Sequence, residues 1–570
     1  MNIKKYRPVF HSPLPRARWM LVCVVGVALV LSLVARFVWL QGFQKDFLQE
    51  QGDARALRVV PIMTHRGVIQ DRNAEPLALS SPVTSVWVLP KEVNLKDPNW
   101  ANVARRLGFT KEAIAQKVAQ NPRKHFVYLK RHLFPSVEKE LSKLGVQGLY
   151  FQREYRRFYP DGEVCAHILG FANIDEQGQE GLEMAYNKWL QGEQGQERVL
   201  KDRSGKEVEY IQRVRPVRPG QSITLSIDRR LQYIAYKALL GAVKKHNAQG
   251  GTVVLLDAHS GEILAMVNQP SYNPNIRQNV DKQRFRNRAV TDLFEPGSVF
   301  KSLSMANVLE QHVVPRNILI DTNPGKMAIG QYTVQDIHNN GVLDMEGVIK
   351  KSSNIGITKL TLKTPPDSLY QLLKKMGFGV ATESQFPGEV SGRLYQAQRW
   401  HPFILATLSF GYGVSVTALQ LAQAYAVLAN GGYKVPVSFL KVGDEQQKTQ
   451  VLATAAAKDV ARMLTLNTLA GSGTRAQVEG YFVAGKTGTA KKVGRHGYEK
   501  KYLSVFAGFA PASNPRLVMV VIIDEPQGEY YGGLVAAPVF GQVMEGALRL
   551  LSVPLDRPDK NMPIWEMPAA

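Results

Sequence analysis

The sequence predicts an α+β protein with a single membrane-spanning helix at its N-terminus, an elongated β-rich module, and a larger domain built on one antiparallel sheet flanked by helices. Three observations predict it. Residues 19–35, WMLVCVVGVALVLSLVA, form an uncharged apolar run. A Pro/Gly break, RPVRPGQ, falls at residues 215–221. Beyond it, strand-like runs stand at both ends of a long segment with a helix-rich middle.

The apolar run is the first element. A spanning helix takes roughly 20 apolar residues. Residues 19–40 supply that length, with Arg36 snorkelling to the headgroups near one end. Lys4, Lys5, Arg7, Arg16 and Arg18 precede it. The excess of positive charge predicts residues 1–18 as a cytoplasmic stub, 19–40 as an uncleaved anchor and the rest of the chain outside. No A-x-A-like site follows the run, and it is long for a signal peptide. An exported chain with a formal net charge of +23 meets anionic headgroups or an anionic polymer rather than nucleic acid, and most of its charges form a solvated surface. Cys23 lies in the apolar run and does not pair with Cys165, so disulfides do not hold the fold.

Residues 41–56 read as a polar connector that can continue the membrane helix, and 41–220 as a non-catalytic module. It holds β-like runs such as VTSVWVL and a helical piece, KEAIAQKVAQ. The larger domain, 221–553, opens on SITLSID, read as a strand. A helix over 229–246 follows, then a hairpin in GGTVVLLDAHSGEILAMVN with its turn at DAHSGE. Helices run to about Gly432, and YFVAGKTGTAKK, YLSVFAGFAPA and RLVMVVIIDEP close the domain as strands. The first and last strands are expected to meet in one sheet. Residues 554–570 read as a loosely held tail.

The chemistry centres on TDLFEPGSVFKSLSMANVLEQ, residues 291–311. Pro296 and Gly297 suit a turn that starts a helix, with Ser298 at its N-terminus. Apolar residues go nearly all the way round that helix, so it is buried. Lys301 lies one turn beyond Ser298 on the same face. Burial disfavours its ammonium form, and a neutral amine beside a hydroxyl is a general base beside a nucleophile. The pattern alone is weak, because Ser136 and Lys139 repeat it among charges. KKSSNIGITKL adds Ser352 and Asn354, which also read as a helix cap; Ser271 and Asn273 repeat that spacing in a turn. VAGKTGTAKK adds Lys486, Thr487, Gly488 and Thr489. Gly488 allows close backbone approach. Thr487 and Thr489 share one face of a strand and suit a carboxylate, while Lys486 falls on the other face and has to reach the site from the strand edge. No metal-ligand cluster is visible.

S-x-x-K, S-x-N and K-T-G in this order resemble the signature of penicillin-binding proteins and serine β-lactamases. The resemblance extends to HRGVIQDRN, REYRRFYP and GQEGLE in the N-terminal module, and to SFGYGVSVTALQLAQAYAVLANGG and YYGGLVAAPVF in the larger domain. It runs from the anchor to about residue 552 and is to class B, high-molecular-mass penicillin-binding proteins. Asn354, where elongation-type relatives usually carry Asp, points to the division-specific, septal type.

The resemblance implies a non-catalytic dimerisation or pedestal module, then a β-lactamase-like transpeptidase domain. It implies a peptidoglycan D,D-transpeptidase without cofactor or metal. Ser298 attacks the bond between the two terminal D-alanines of a stem pentapeptide, and Lys301 accepts its proton. Ser352 relays a proton to the leaving amine, Asn354 orients Lys301 and the substrate amide, and Lys486 supplies positive potential. Thr487 and Thr489 bind the donor carboxylate, and the N–H groups of Ser298 and Thr489 form the oxyanion hole. Tyr412 and Tyr530 read equally as site walls and as packed aromatics. The implied partners are stem pentapeptides, β-lactams, the membrane, a glycan-polymerising glycosyltransferase and other division proteins, with no nucleic acid. The implied location is the inner membrane, single-pass, with the N-terminus cytoplasmic and the catalytic domain periplasmic. The alternatives are an elongation-type transpeptidase and a β-lactam-hydrolysing or β-lactam-sensing relative.

Overall fold

The computed structural model describes residues 16–124, 126–201, 207–396, 400–443, 446–494, 497–559 and 561–563. Residues 1–15 of the expected stub and 564–570 of the expected tail lie outside the described residues. The described residues fall into two compact units: those up to Thr64 with Glu193–Arg218, and His65–Gly192 with Pro219 onward.

The first unit begins with the helix Arg16–Val38, continued by a π-helical turn at Trp39–Phe43. Together these are the one helix among the described residues long and apolar enough to cross a membrane. The unit also holds an antiparallel sheet of Leu57–Ile62, Gly195–Lys201 and Glu207–Arg215, with the second strand in the middle.

In the second unit, β1 (Pro76–Val88) lies between β2 (Val127–Leu133) and β3 (Leu149–Phe158), antiparallel to both. Strand period sends Val86 and Val88 to one face. There they are buried with Trp100, Leu107, Ile114 and Leu141, which come from helices at Asn99–Leu107, Lys111–Ala119 and Pro135–Ser142. Ser136 and Lys139 are exposed on the last of these, so their S-x-x-K is a solvated face. The three segments of this module that carried the family resemblance meet at one buried carboxylate. Glu183 accepts from Arg66 Nε and Arg157 Nε, each at 2.6 Å.

The larger part is built from α1 (Arg229–Lys245), β4 (Gly250–Asp257), β5 (Ile263–Gln269), α2 (Lys301–Gln311), α3 (Asn354–Thr361), α4 (Ala418–Ala429), α5 (Thr454–Ala470), β6 (Ala484–Gly494), β7 (Gly497–Ala510), β8 (Leu517–Asp524) and α6 (Ala537–Leu550). The sheet order is β5-β4-β8-β7-β6, all antiparallel. Gly250 faces Asp524 and Asp257 faces Leu517, so the first and last strands pair as expected. Every residue of β4 is buried because helices cover both faces. Val253 and Leu255 pack in the layer of α1 and α6, and Val254 and Leu256 in the layer of α2, α4 and α5.

Two expectations change. Only Ile223–Thr224 of SITLSID is strand, and it pairs in parallel with Ile69–Gln70 of the module. The run ends there because Asp228 caps α1, its side chain accepting from Arg230 N–H. The start of the tail is also held. Asp556 is 4% exposed, and its carboxylate accepts from Phe482 N–H at 2.7 Å and from Ser513 N–H and Oγ–H. Burial pushes its carboxyl up from the ordinary value, against those bonds.

Candidate active site

Ser298 lies in a 3₁₀ turn, Gly297–Phe300, that runs directly into α2. Pro296 sets the approach, and Gly297 takes φ +60°, which favours glycine. Gly297 N–H donates to the Gly411 carbonyl at 3.1 Å. A Cβ on Gly411 would stand 2.3 Å from the Gly297 oxygen, so only glycine lets the two segments meet. The Val299 carbonyl accepts from Tyr425 Oη on α4 and from Ser302 Oγ, each at 2.7 Å. The turn is thus fixed by groups on either side of the nucleophile candidate.

Lys301 and Lys486 are both fully buried. Lys301 Nζ donates to the Ser352 carbonyl and reaches Ser352 Oγ at 3.1 Å. Lys486 Nζ reaches the same oxygen at 3.0 Å. β6 is the edge strand, and from it Lys486 reaches Ser352, just before α3. Burial pushes the Lys301 amine well below its ordinary value, and the Lys486 cation pushes it further, against Asp336. Burial alone takes Lys486 down to about 7. A hydroxyl has one proton to donate. With two amines on one oxygen, Ser352 donates to the neutral amine and accepts from the charged one.

The direct Ser298–Lys301 contact expected from i,i+3 spacing is replaced by these bonds to Ser352. Among the described residues, the Ser298 hydroxyl makes no hydrogen bond. Asn354 Nδ2 donates to the Gln335 carbonyl at 2.9 Å rather than meeting Lys301, leaving its own carbonyl free to accept. The helix cap is neither Ser352 nor Asn354 but Ser353, whose Oγ accepts from Gly356 N–H. Ser352 itself takes φ +56°, a left-handed conformation a serine rarely adopts.

The geometry of β6 divides the K-T-G segment as expected. A Cβ on Gly488 would meet the Pro296 carbonyl and Val299 Cγ1, each at 3.0 Å, so Gly488 faces the Ser298 turn closely. Thr487 and Thr489 face the other way. Thr487 Oγ1 hydrogen-bonds Ser472 Oγ at 2.6 Å, and Thr489 Oγ1 accepts from Gly532 N–H at 3.1 Å. Thr489 keeps its own proton to donate. Tyr412 packs edge-on against Phe410 and Tyr498, and Tyr530 stacks on Tyr502 at 4.1 Å, so both rings belong to aromatic clusters.

Sequence reading missed several supporting groups. Asp336 accepts from Ser353 Oγ and from the N–H groups of Asn354 and Ile355, fixing the Ser352 turn at the start of α3. Nothing around it in YTVQDIHNN marks that role. Asn467 ties Ser472 to β6, its Nδ2 donating to Gly485. Glu295 accepts from Gly413 N–H and Tyr498 Oη. Tyr425 did leave a signal: a lone phenol in an apolar helix needs a buried partner. Replacing Asp336 by Ala removes the carboxylate from a helix start. It is expected to cost about 1–2 kcal/mol and to slow reaction at Ser298, read by thermal unfolding and by the rate of active-site labelling.

Among the described residues, no group of three His, Cys, Asp or Glu side chains is placed to hold a metal ion. Lys301, Ser352 and Lys486 form a hydrogen-bonded chain that begins three residues along the chain from Ser298, an arrangement suited to acyl transfer.

Comparison with known proteins gives consistent matches. The family described as penicillin binding protein transpeptidase domain matches residues 251–545. The penicillin-binding protein dimerisation domain matches residues 61–225. The chain is 40% identical to the peptidoglycan D,D-transpeptidase FtsI of Escherichia coli (strain K12), over 97% of this chain and 95% of that protein. It is 42% identical to the probable peptidoglycan D,D-transpeptidase PbpC of Pseudomonas aeruginosa, over 95% and 96%. Among solved structures, a peptidoglycan synthetase from Bifidobacterium adolescentis superposes with a TM-score of 0.70 at 26% identity, covering 90% of this chain and 99% of that one.

Proposed function

The chain belongs to the class B penicillin-binding proteins, with a dimerisation module and a peptidoglycan D,D-transpeptidase domain, and from that premise we propose how its residues divide the work. One observation carries the reading: two buried lysine amines share the hydroxyl of Ser352 next to the Ser298 turn. Ser298 Oγ attacks the carbonyl of the penultimate D-alanine of a stem pentapeptide. Neutral Lys301 takes the Ser298 proton. Ser352 gives its proton to the departing D-alanine amine and is reprotonated from the lysine pair. The N–H groups of Ser298 and Thr489 hold the oxyanion. The amine of a second stem peptide then attacks the acyl-enzyme, and the cross-link forms with Ser298 restored.

Lys486 and the two threonines lie on opposite faces of β6. A donor that meets both lies along the free edge of that strand, as an added strand. Thr487 and Thr489 then take its C-terminal carboxylate under the potential of Lys486, and the free carbonyl of Asn354 accepts from the substrate amide. Tyr412 and Tyr530 wall the groove. Arg16 and Arg18 at the start of the apolar helix support a cytoplasmic N-terminus and a periplasmic catalytic domain. The septum is the site of action, with a glycan-polymerising glycosyltransferase and other division proteins as partners.

Labelled penicillin should leave a long-lived adduct on Ser298, located by mass spectrometry, and Ser298→Ala should give none. Rapid drug turnover, or an adduct elsewhere, refutes the reading.

Acylation needs Lys301 without a proton and Lys486 with one. Its rate should therefore fall as pH rises through about 7, where Lys486 gives up its proton. It should also fall on the acid side, where Lys301 takes one up; the pair titrates as a unit. A pH profile of the second-order acylation rate checks this, and a rate that keeps climbing into the alkaline range removes the requirement for a charged Lys486.

A further inference from the structure

Away from Ser298, the sheet of β1, β2 and β3 borders a recess of about 460 Å³. Its charged lining is basic: Arg156, Arg157 and Arg277, with His132, Asn275 and Gln278 between them, burial holding the His132 imidazole below its ordinary value. Arg157 is 6% exposed. Its Nε is committed to Glu183 and its Nη1 to the Gly67 carbonyl, while Nη2 is buried with no acceptor. His132 Nε2 makes no hydrogen bond, and the nearest Glu154 oxygen stands 3.7 Å away. Arg277 is fixed 4.3 Å over the Phe171 ring. Arg156 is exposed and makes no hydrogen bond or ion pair among the described residues.

A buried donor left without an acceptor costs about 1–3 kcal/mol. One such donor, Arg157 Nη2, beside two further guanidinium groups makes a cationic recess suited to an anion. Guanidinium groups pair with carboxylate and phosphate alike, so the neighbouring surface decides the source. Tyr150 and Arg156 share one face of β3, six residues apart, which is about 20 Å. At the Tyr150 end the ring stacks on Trp87 at 4.6 Å, and Phe126 lies 4.8 Å from Trp87. The partly exposed surface of this aromatic cluster suits the C–H groups of sugar rings. A polymer carrying both sugars and carboxylates fits the pair of features better than a phosphate headgroup does.

Resting on the reading of this chain as a peptidoglycan transpeptidase, we propose that the recess binds a stem-peptide carboxylate of a peptidoglycan strand whose sugars lie along the Trp87 face. The site is separate from the donor groove of β6 and holds glycan while the catalytic domain works.

The test uses the full-length protein in detergent micelles, acylated with penicillin so that the donor groove is closed. It is titrated by calorimetry with a disaccharide-tetrapeptide fragment, with the same fragment amidated at its carboxylates, and with inorganic phosphate. The native fragment should bind, amidation should weaken it at least tenfold, and Arg156→Glu and Trp87→Leu should each do the same. Penicillin labelling reports that both variants are folded. Equal binding by the amidated fragment or by Arg156→Glu overturns the proposal, as does absence of binding. Displacement of the fragment by an equal concentration of phosphate assigns the recess to phosphate and overturns it too. Failure of Ser298 to label would strike at the catalytic reading instead.

Discussion

Lys301→Met is expected to leave a folded protein that penicillin acylates about 10²–10⁴-fold more slowly, the usual contribution of a positioned general base. Methionine keeps an unbranched chain of similar reach, so the space inside α2 stays filled. The protein also no longer has to bury an amine. Against this, the Ser352 carbonyl loses the donor it had in Lys301, a cost of about 1–3 kcal/mol. Ser352 Oγ keeps Lys486 at 3.0 Å. Stability should therefore change little while the chemistry collapses, and the acid limb of the pH profile should vanish with the group that produced it. Stopped-flow acylation and thermal unfolding on one preparation separate the two effects. An acylation rate within tenfold of the parent would mean that another group takes the Ser298 proton.

Much of this site could be read from the sequence because it follows local rules. The apolar surround of Lys301 announced its burial, and Pro296–Gly297 announced the turn. The alternation through Lys486, Thr487, Gly488 and Thr489 announced which faces they take. What could not be read was set by pairings distant in sequence. Lys301 and Ser352 meet only because α2 and α3 pack together, and that packing sends the Lys301 amine to Ser352 rather than back along its own helix. Asp336 acts on a turn 16 residues further along the chain, and its local sequence carries no period or motif. SITLSID has the composition of a strand, but the cap at Asp228 ends the run. Asp556 looked like part of a polar tail until the backbone of Phe482 and Ser513 supplied its donors.

Glu183→Ala is the stability counterpart, expected to cost about 3–5 kcal/mol, the range for removing one partner of a buried ion pair. Glu183 is fully buried and sits between Arg66, 2% exposed, and Arg157, 6% exposed. Without it, two guanidinium groups stay inside with no carboxylate between them. Arg66 also donates to the carbonyls of Glu176 and Glu183 and to Asn187 Oδ1, so it cannot swing out to water without breaking the loop around it. The loss should therefore appear as a lower unfolding temperature and early proteolysis within residues 65–192. Arg106 and Glu140 provide the contrast. Their side chains are 58% and 48% exposed, and such a pair contributes about 0–1 kcal/mol, so Glu140→Ala should leave the transition almost where it was. Replacing Arg66, Arg157 and Glu183 together by apolar residues of similar volume should cost less than Glu183→Ala alone, because no charge is then left unpaired. A triple variant less stable than the single one would show that the hydrogen bonds to the surrounding carbonyls, rather than charge pairing, hold this module together.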